Sequence, residues 1–470
     1  MNMQTSVVFP EIFGTFVGTN LLLNNLNIVG EEHLPAWYKV TDLAAESIAA
    51  AGLMLQQRLD GPELLGQITT IVTVDRRLAS LWFSKSIRPM GWELPPAWDS
   101  IAGNYQAKDG WVRLHTNATL HKQAALSVLA CKDDSGVVAK TVKNWLADAL
   151  ADAVIEAGGC STVMRTPEQW LAHPQGIAVA AEPLIHWDLH TLTNRDKNTA
   201  TKQISKAVKL KRPLQGIKVL DLTRILAGPI ATRFLAAYGA DVLRIDPPGW
   251  DEPSTSPEVT IGKRCAGLDL RVEKDRNTFE TLLKQADLLV HGYRPGALAG
   301  LGYDATALQK INPRLVDVSL CAYGWTGPWA MRRGFDSVVQ MSCGMSDYGM
   351  VQSGAGQPVS LPVQALDHAT GYLIAAAAIH ALNRRDTTGE IYTARLSLAR
   401  TASLLMSQVS HPESSKFSSE TNQDIDSLIE KTEWGEARRI RFPLEVAGMP
   451  AQWNYPAGSL QVSEATWSKS

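Results

Sequence analysis

Residues 217–245 constrain the fold of this chain more than any other stretch. An apolar run, Ile217–Leu222, leads into a helical segment at Pro229–Tyr238 entered by Gly-Pro; Gly239 stops it, and a second apolar run follows at Asp241–Ile245. Two strands separated by one helix cannot close as a hairpin. They pair in parallel through a right-handed crossover, which predicts a Rossmann-like sheet. The alternation continues with a helix around Asn277–Lys284, a strand at Leu288–His291, a helix at Asp304–Lys310 and a strand at Leu315–Leu320. The second half is therefore expected to be α/β. The turn after the first strand lacks GxGxxG, which argues against a dinucleotide cofactor there.

The first half reads differently. Residues 1–41 mix Gly, Asn and aromatic residues without a sustained period, as in an irregular leader that docks on something else. The Ala- and Leu-rich run Asp42–Arg58 predicts a helix with Asp42 at its N-cap, followed by a strand at Gln67–Val74. From 85 to 195 a Pro-rich entry precedes a strand at Trp111–His115. A helical pattern follows at Val137–Ala157, and a further helix is opened by Thr166, Pro167 and Glu168. This segment is expected to be a compact α+β unit. A polar, Lys-rich connection then reads as a linker. The expected order is a leader with a degenerate repeat (1–84), the small unit (85–195), a linker (196–212), the α/β domain (213–410) and a C-terminal tail (411–470).

The repeat is visible in the letters. Asp42–Met54 recurs at an offset of 325 as Asp367–Ile379, each an Asp followed by small or apolar residues and consecutive alanines. Ala79-Ser80-Leu81 is echoed by Ala402-Ser403-Leu404. Chance likeness of Ala-rich helices competes with an internal duplication in which only one copy need be active.

Composition narrows the class of function. With 45 Lys and Arg against 47 Asp and Glu, the net charge of -2 gives no electrostatic reason to expect a nucleic acid or an anionic membrane as partner. Five cysteines, at 131, 160, 265, 321 and 343, form no CxxC pair, so neither a disulfide framework nor a zinc site is expected, and a reducing, cytoplasmic home is. The first 30 residues lack a signal-peptide pattern, and the most apolar stretch, Gly371–Leu382, is too short to span a bilayer. No targeting or membrane segment is expected.

From Gly216 onward four blocks resemble the family III, or CaiB/BaiF, coenzyme A transferases. They are Gly216–Pro229 with the Tyr-Gly-Ala-Asp-Val-Leu-Arg-Ile-Asp ending at Asp246; Tyr293–Leu298; Tyr323–Trp329 with Arg333–Asp336; and Ala365–Tyr372. In the first half, Ala107–Asn117 and Arg165–Gly176 are similar to the small domain of that family, so the order of parts is rearranged. The resemblance implies a large Rossmann-like domain plus a smaller α+β domain, and transfer of coenzyme A between acids through a nucleophilic carboxylate.

That carboxylate is expected to be Asp367, placed just before an Ala-rich helix whose free N–H groups favour its charge; the plain alternative is a helix cap. An Asp of ordinary acidity needs no activating base. The mixed anhydride it forms with the acyl group is then converted by the released thiolate into an aspartyl-CoA thioester. No metal is implied, nor any cofactor beyond coenzyme A or acyl-CoA as substrate. For coenzyme A the resemblance offers Ile225, Leu226 and Ala227 in the turn after the first strand, Lys263 and Arg264 near the phosphates, and Tyr293, Arg294 and Tyr323 flanking the ligand; packing or solvent exposure is the alternative for these last five.

His368 is either a donor to an oxyanion or simply solvated, and Asp42 is read as a structural cap. Pro247 and Pro248 stand where many members place an Arg, which puts coenzyme A affinity in doubt. An acyl-CoA racemase is disfavoured because Phe335 replaces the acid–base His of the Gly-His-Asp block. A non-catalytic coenzyme A binder remains as a further alternative. Family membership also implies a homodimer, although the fused copies could satisfy some of that contact within one chain.

Overall fold

The computed structural model describes residues 7–16, 23–60, 71–190, 212–414, 416–446 and 448–468. The expected linker lies almost wholly outside them, as does the start of the strand expected at Gln67–Val74. The elements of the first half are α1 (Pro10–Gly14), β1 (Leu26–Val29), α2 (Val40–Asp60), β2 (Val72–Asp75), α3 (Arg76–Trp82) and β3 (Ile87–Pro89), then β4 (Gly103–Gln106), β5 (Trp111–Leu114), α4 (Thr119–Leu129), α5 (Ser135–Val142), α6 (Ala147–Glu156), β6 (Ser161–Val163), α7 (Pro167–Ala172), α8 (Pro174–Ala181) and β7 (His186–His190). The second half runs β8 (Lys218–Leu222), α9 (Ala227–Ala237), β9 (Asp241–Asp246), α10 (Ser256–Val259), β10 (Lys263–Gly267), α11 (Glu273–Leu283), β11 (Leu288–His291), α12 (Ala305–Ile311), β12 (Val316–Cys321), α13 (Asp336–Ser342), α14 (Met345–Ser353), α15 (Ala365–Thr388), β13 (Ile391–Ser397) and α16 (Leu398–Met406), with β14 (Glu430–Thr432), β15 (Gly435–Arg439) and β16 (Leu444–Val446) in the tail.

The large sheet has the order β10-β9-β8-β11-β12-β13-β7, parallel except for β7 at its edge. Numbered from β8, the six parallel strands run 3-2-1-4-5-6, the doubly wound order, and β8 and β11 flank the point where the winding reverses. β7, although it closes the first half of the chain, pairs antiparallel with β13 and so belongs to this sheet.

The helical pattern at Val137–Ala157 divides into α5 and α6. Asp109, in the turn between β4 and β5, accepts the N–H of Ala147 at 2.8 Å and so caps the second helix separately. Thr166 and Gln169 form a reciprocal capping box at α7, with Pro167 in its first turn.

The most apolar stretch of the sequence is the middle of α15, buried on all sides, as an evenly apolar helix must be. It packs against α2 and α9. The repeat has a structural counterpart, since α2-β2-α3 and α15-β13-α16 are both helix, strand, helix. Asp75 caps α3 through the N–H of Leu78, and Ser397 caps α16 through that of Arg400. The two copies meet with like ends together: Arg58 reaches Asn383, its counterpart at the same offset of 325, and Asn383 donates back to the carbonyl of Met54.

The leader does dock. Phe9, Ile12, Phe13 and Phe16 are buried in the main core, and Val8 and Phe9 donate backbone N–H groups to the Glu46 carboxylate. Asp42 departs from the expected cap. It is the third residue of α2 and forms ion pairs with Arg76 and His33, partners that local sequence could not reveal.

Candidate active site

The turn after β8 carries local strain. Ile225 sits at φ 66°, a left-handed conformation that a β-branched residue avoids, and its N–H is held by Glu252 at 2.8 Å. The side chain before it, Arg224, lies between two aromatic rings, its guanidinium 4.8 Å from the centroid of Trp250 and 5.4 Å from that of Tyr293. Tyr293 comes from the turn after β11, so this clamp spans the point where the winding reverses, beyond the carboxyl ends of the strands. Ligands of doubly wound sheets bind there.

Asp367 is joined to this turn by α15. A Cβ built on Gly371 would stand 2.5 Å from the carbonyl oxygen of Ala227, so only glycine allows α15 to approach α9 so closely. Asp367 lies one helical turn before this contact, about 6 Å along the axis.

Two expectations about Asp367 are corrected. It stands inside the first turn of α15 rather than before it, and the N–H groups expected to favour its charge are already used: Asp336 accepts those of Leu366 and Asp367 at 2.8 and 3.0 Å. Nor is its acidity ordinary. Burial, and then the nearby Asp336, push its pKa well above the usual carboxylate range, while Asp336 itself is raised by burial to about 6.

Around this pair the small unit closes in. The ring of His115, just after β5, stacks on Phe335 at 3.9 Å between centroids, and His121 meets the same ring edge-on at 5.9 Å. Thr162 on β6 bonds to Ser342 on α13 at 2.8 Å. The α+β unit therefore clamps the helix that carries Asp336.

The remaining sequence candidates separate. Leu226 and Ala227 start α9 beside Ile225, and Tyr293 contributes to the clamp around Arg224. Arg294 is exposed on the same turn, donating to the carbonyl of Met331 at 3.3 Å.

Lys263 is a correction. It is buried, with its ammonium 3.0 Å from Asp221 and 2.9 Å from the carbonyl of Pro229, because the Asp221 carboxylate beneath the turn needs a countercharge. Arg264 pairs with Asp241 and the carbonyl of Thr466 against the tail. Tyr323 is also corrected: it is buried, bonds Ser342 at 2.8 Å and packs on Trp329. His368 is not solvated. It is fully buried against Phe83, at 5.0 Å between ring centroids, and burial lowers its pKa to about 3.

Sequence reasoning missed Arg224 and Asp336 as site residues. Both stand inside the quoted blocks, but their partners are far away in the chain.

A parallel doubly wound sheet with a buried carboxylate pair beside its reversal point defines an α/β protein with a carboxylate-centred site. Residues 214–428 match the model of CoA-transferase family III. The chain is 37% identical to the acetyl-coenzyme A transferase nodX of Hypoxylon pulicicidum over 40% of this chain and 32% of that protein. It is 31% identical to an acyl-CoA transferase of Gibberella moniliformis over 63% of this chain and 54% of that one. The crystal structure of Rv3272 from Mycobacterium tuberculosis aligns with a TM-score of 0.39 at 32% identity, over 42% of this chain and 56% of that one. The chain thus spans about a third to a half of the length of the curated relatives it matches. Among the described residues no helix is long and apolar enough to cross a membrane, and no group of three or more His, Cys, Asp or Glu side chains could hold a metal ion.

Proposed function

We propose that this protein is an acyl-CoA:carboxylate coenzyme A transferase with Asp367 as nucleophile. The observation that carries the reading is the placement of a buried carboxylate one helical turn from the strained Ile225–Ala227 turn, inside the region that matches the family. Coenzyme A would bind over that turn, with Arg224 and the exposed Arg294 facing its phosphates, and no other cofactor would be needed.

The Asp367 carboxylate attacks the thioester carbonyl and expels the coenzyme A thiolate, forming a mixed anhydride. The thiolate then attacks the aspartyl carbonyl, releasing the first acid and leaving an aspartyl-CoA thioester. The second acid repeats the sequence in reverse and leaves as its own CoA ester. Because Asp367 must be ionised to attack, its raised pKa makes transfer fall off on the acid side.

A homodimer in the cytoplasm is the assembly and place that fit this reading; light scattering that gives a monomer mass would reject the dimer.

Hydroxylamine trapping after incubation with an acyl-CoA, followed by peptide mass spectrometry, tests the nucleophile. A modified peptide containing Asp367 is expected, and full activity in Asp367→Asn would rule the mechanism out. The burial of Asp367, which raises its pKa and so disfavours the nucleophilic carboxylate form, favours one second reading, a coenzyme A binder without transfer activity. Calorimetric binding of coenzyme A with no exchange between acyl-CoA and free acids would establish it.

A further inference from the structure

We propose that Asp336 is a positioning residue for the carboxylate of Asp367: it holds the first turn of α15 and, through its own negative charge, sets when Asp367 can carry one. The inference rests on Asp367 being the nucleophile. α15 begins with Gln364 as N-cap and no side-chain cap of its own, in a region where the helix start is buried. Its orphan N–H groups need an acceptor. Asp336, at the start of α13 and fully buried, supplies one oxygen to both Leu366 and Asp367, and its other oxygen accepts the side-chain amide of Gln340. Gln340 is fixed in turn by the N–H of Leu361 at 2.8 Å.

A neutral acceptor would satisfy the same N–H groups without placing a second carboxylate in a dry site. Two carboxylates this close do not both ionise readily, and the better-bonded one takes the charge first. The nearby cation favours Asp336 in that competition. Arg113 on β5 acts on it with a positive charge, whereas Asp336 is the charged group that acts on Asp367. The histidines packed nearby are held neutral by burial: His115 and His121 against Phe335, and His368 against Phe83. Asp336 therefore holds the negative charge at the base of the helix, and Asp367 stays a carboxylic acid until the pH rises further. This gives the Asp of the Arg-Gly-Phe-Asp block a role in the transfer chemistry without contact to the substrate.

The test uses the full chain labelled with ¹³C at aspartate carboxyls, with the Asp367 resonance assigned by its absence in Asp367→Asn. Asp336→Asn keeps a carbonyl oxygen for the two N–H groups and removes the charge. The Asp367 titration midpoint is expected to fall by about one pH unit or more, a tenfold change in its acid dissociation, with the acid limb of kcat/KM for transfer moving by the same amount. A purely structural cap leaves the midpoint unmoved in Asp336→Asn, and that result overturns the proposal. Should Asp336→Asn fail to fold, the unaltered chain supplies the second measurement: Asp367 is expected to lose its proton only after Asp336 has lost its own, and an Asp367 midpoint at or below that of Asp336 overturns the proposal. The resonance reports without turnover. A moving midpoint in an enzyme that transfers nothing removes the transferase reading and leaves the coupling, whereas transfer with a fixed midpoint removes the coupling alone.

Discussion

Gly371 and Ala227 touch so closely that α15 and α9 share a glycine-sized gap, with the Ala227 carbonyl where a side chain on Gly371 would begin. In an exposed helix Gly→Ala gains about 1 kcal/mol. Here the new methyl meets backbone and the Ile230 side chain, so Gly371→Ala is expected to cost about 1–3 kcal/mol. Because the displaced atoms belong to the turn that carries Ile225, affinity for coenzyme A should fall with stability. Urea denaturation and calorimetry on one preparation read both.

Asp367→Asn should separate activity from stability. It removes transfer by about a thousandfold or more, as loss of an essential nucleophile does. It also removes an acidic group that burial and Asp336 disfavour, so the melting temperature is expected to rise by about 1 °C for a gain of about 1 kcal/mol. An unchanged or lower melting temperature would contradict this.

Arg224→Lys keeps the positive charge but loses the planar group held between Trp250 and Tyr293. Guanidinium stacking is not reproduced by an ammonium. The dissociation constant for coenzyme A should rise about tenfold, a loss of about 1.4 kcal/mol, with little change in unfolding. Equal affinity in the two proteins would detach the clamp from ligand binding.

Glu258 ties three parts of the chain together. Its carboxylate accepts Ser86 N–H at 2.9 Å, Ser86 Oγ at 2.7 Å and Ile87 N–H at 3.1 Å, and it pairs with Arg233 at 2.5 Å and Arg439 at 3.7 Å. Burial alone would raise its pKa, but Arg233 and Arg439 outweigh burial and hold it at about 2. The folded value lies below the unfolded one, so its contribution is full above pH ~4.5 and is lost as the pH falls toward 2. Glu258→Gln leaves two buried arginines short of charge and should cost about 3–5 kcal/mol at neutral pH. Its acid-denaturation curve should be flatter than the native one over that window.

Glu46 titrates in the opposite sense. Burial, opposed by the N–H groups of Val8 and Phe9 and reinforced by Asp42, raises it to about 7. A raised folded value means its stabilisation is present below the unfolded value near 4.5 and is lost as the pH rises through 7. Proteolysis within residues 7–16 should accelerate between pH 5 and 8, and Glu46→Gln should lose that dependence.

Much of the architecture follows from local pattern. The alternation from Ile217 to Leu320 requires a parallel sheet because each strand is too far from the next for a hairpin, and four of the five strands in this span fall within a residue or two of the expected ones, whereas β10 (Lys263–Gly267) had no expected counterpart. The Asp367 block was legible because its neighbours are contiguous. The copy at Asp42 was legible as well, and Glu46, in place of the glycine at 371, already marked it as different.

The sequence by itself determined which segments alternate, which faces are apolar and which carboxylate begins the Ala-rich helix, since these are properties of neighbours along the chain. Only the tertiary structure decided that Asp336 would hold that helix from 31 residues away, that Lys263 and Tyr323 would be spent on burial, that Arg224 would stand between Trp250 and Tyr293, and that Glu46 would grip the leader. The reason is physical. Periodicity reports whether a side chain meets apolar surroundings, but a buried polar group must find its partner wherever folding brings one, and that choice is made by packing across the whole chain.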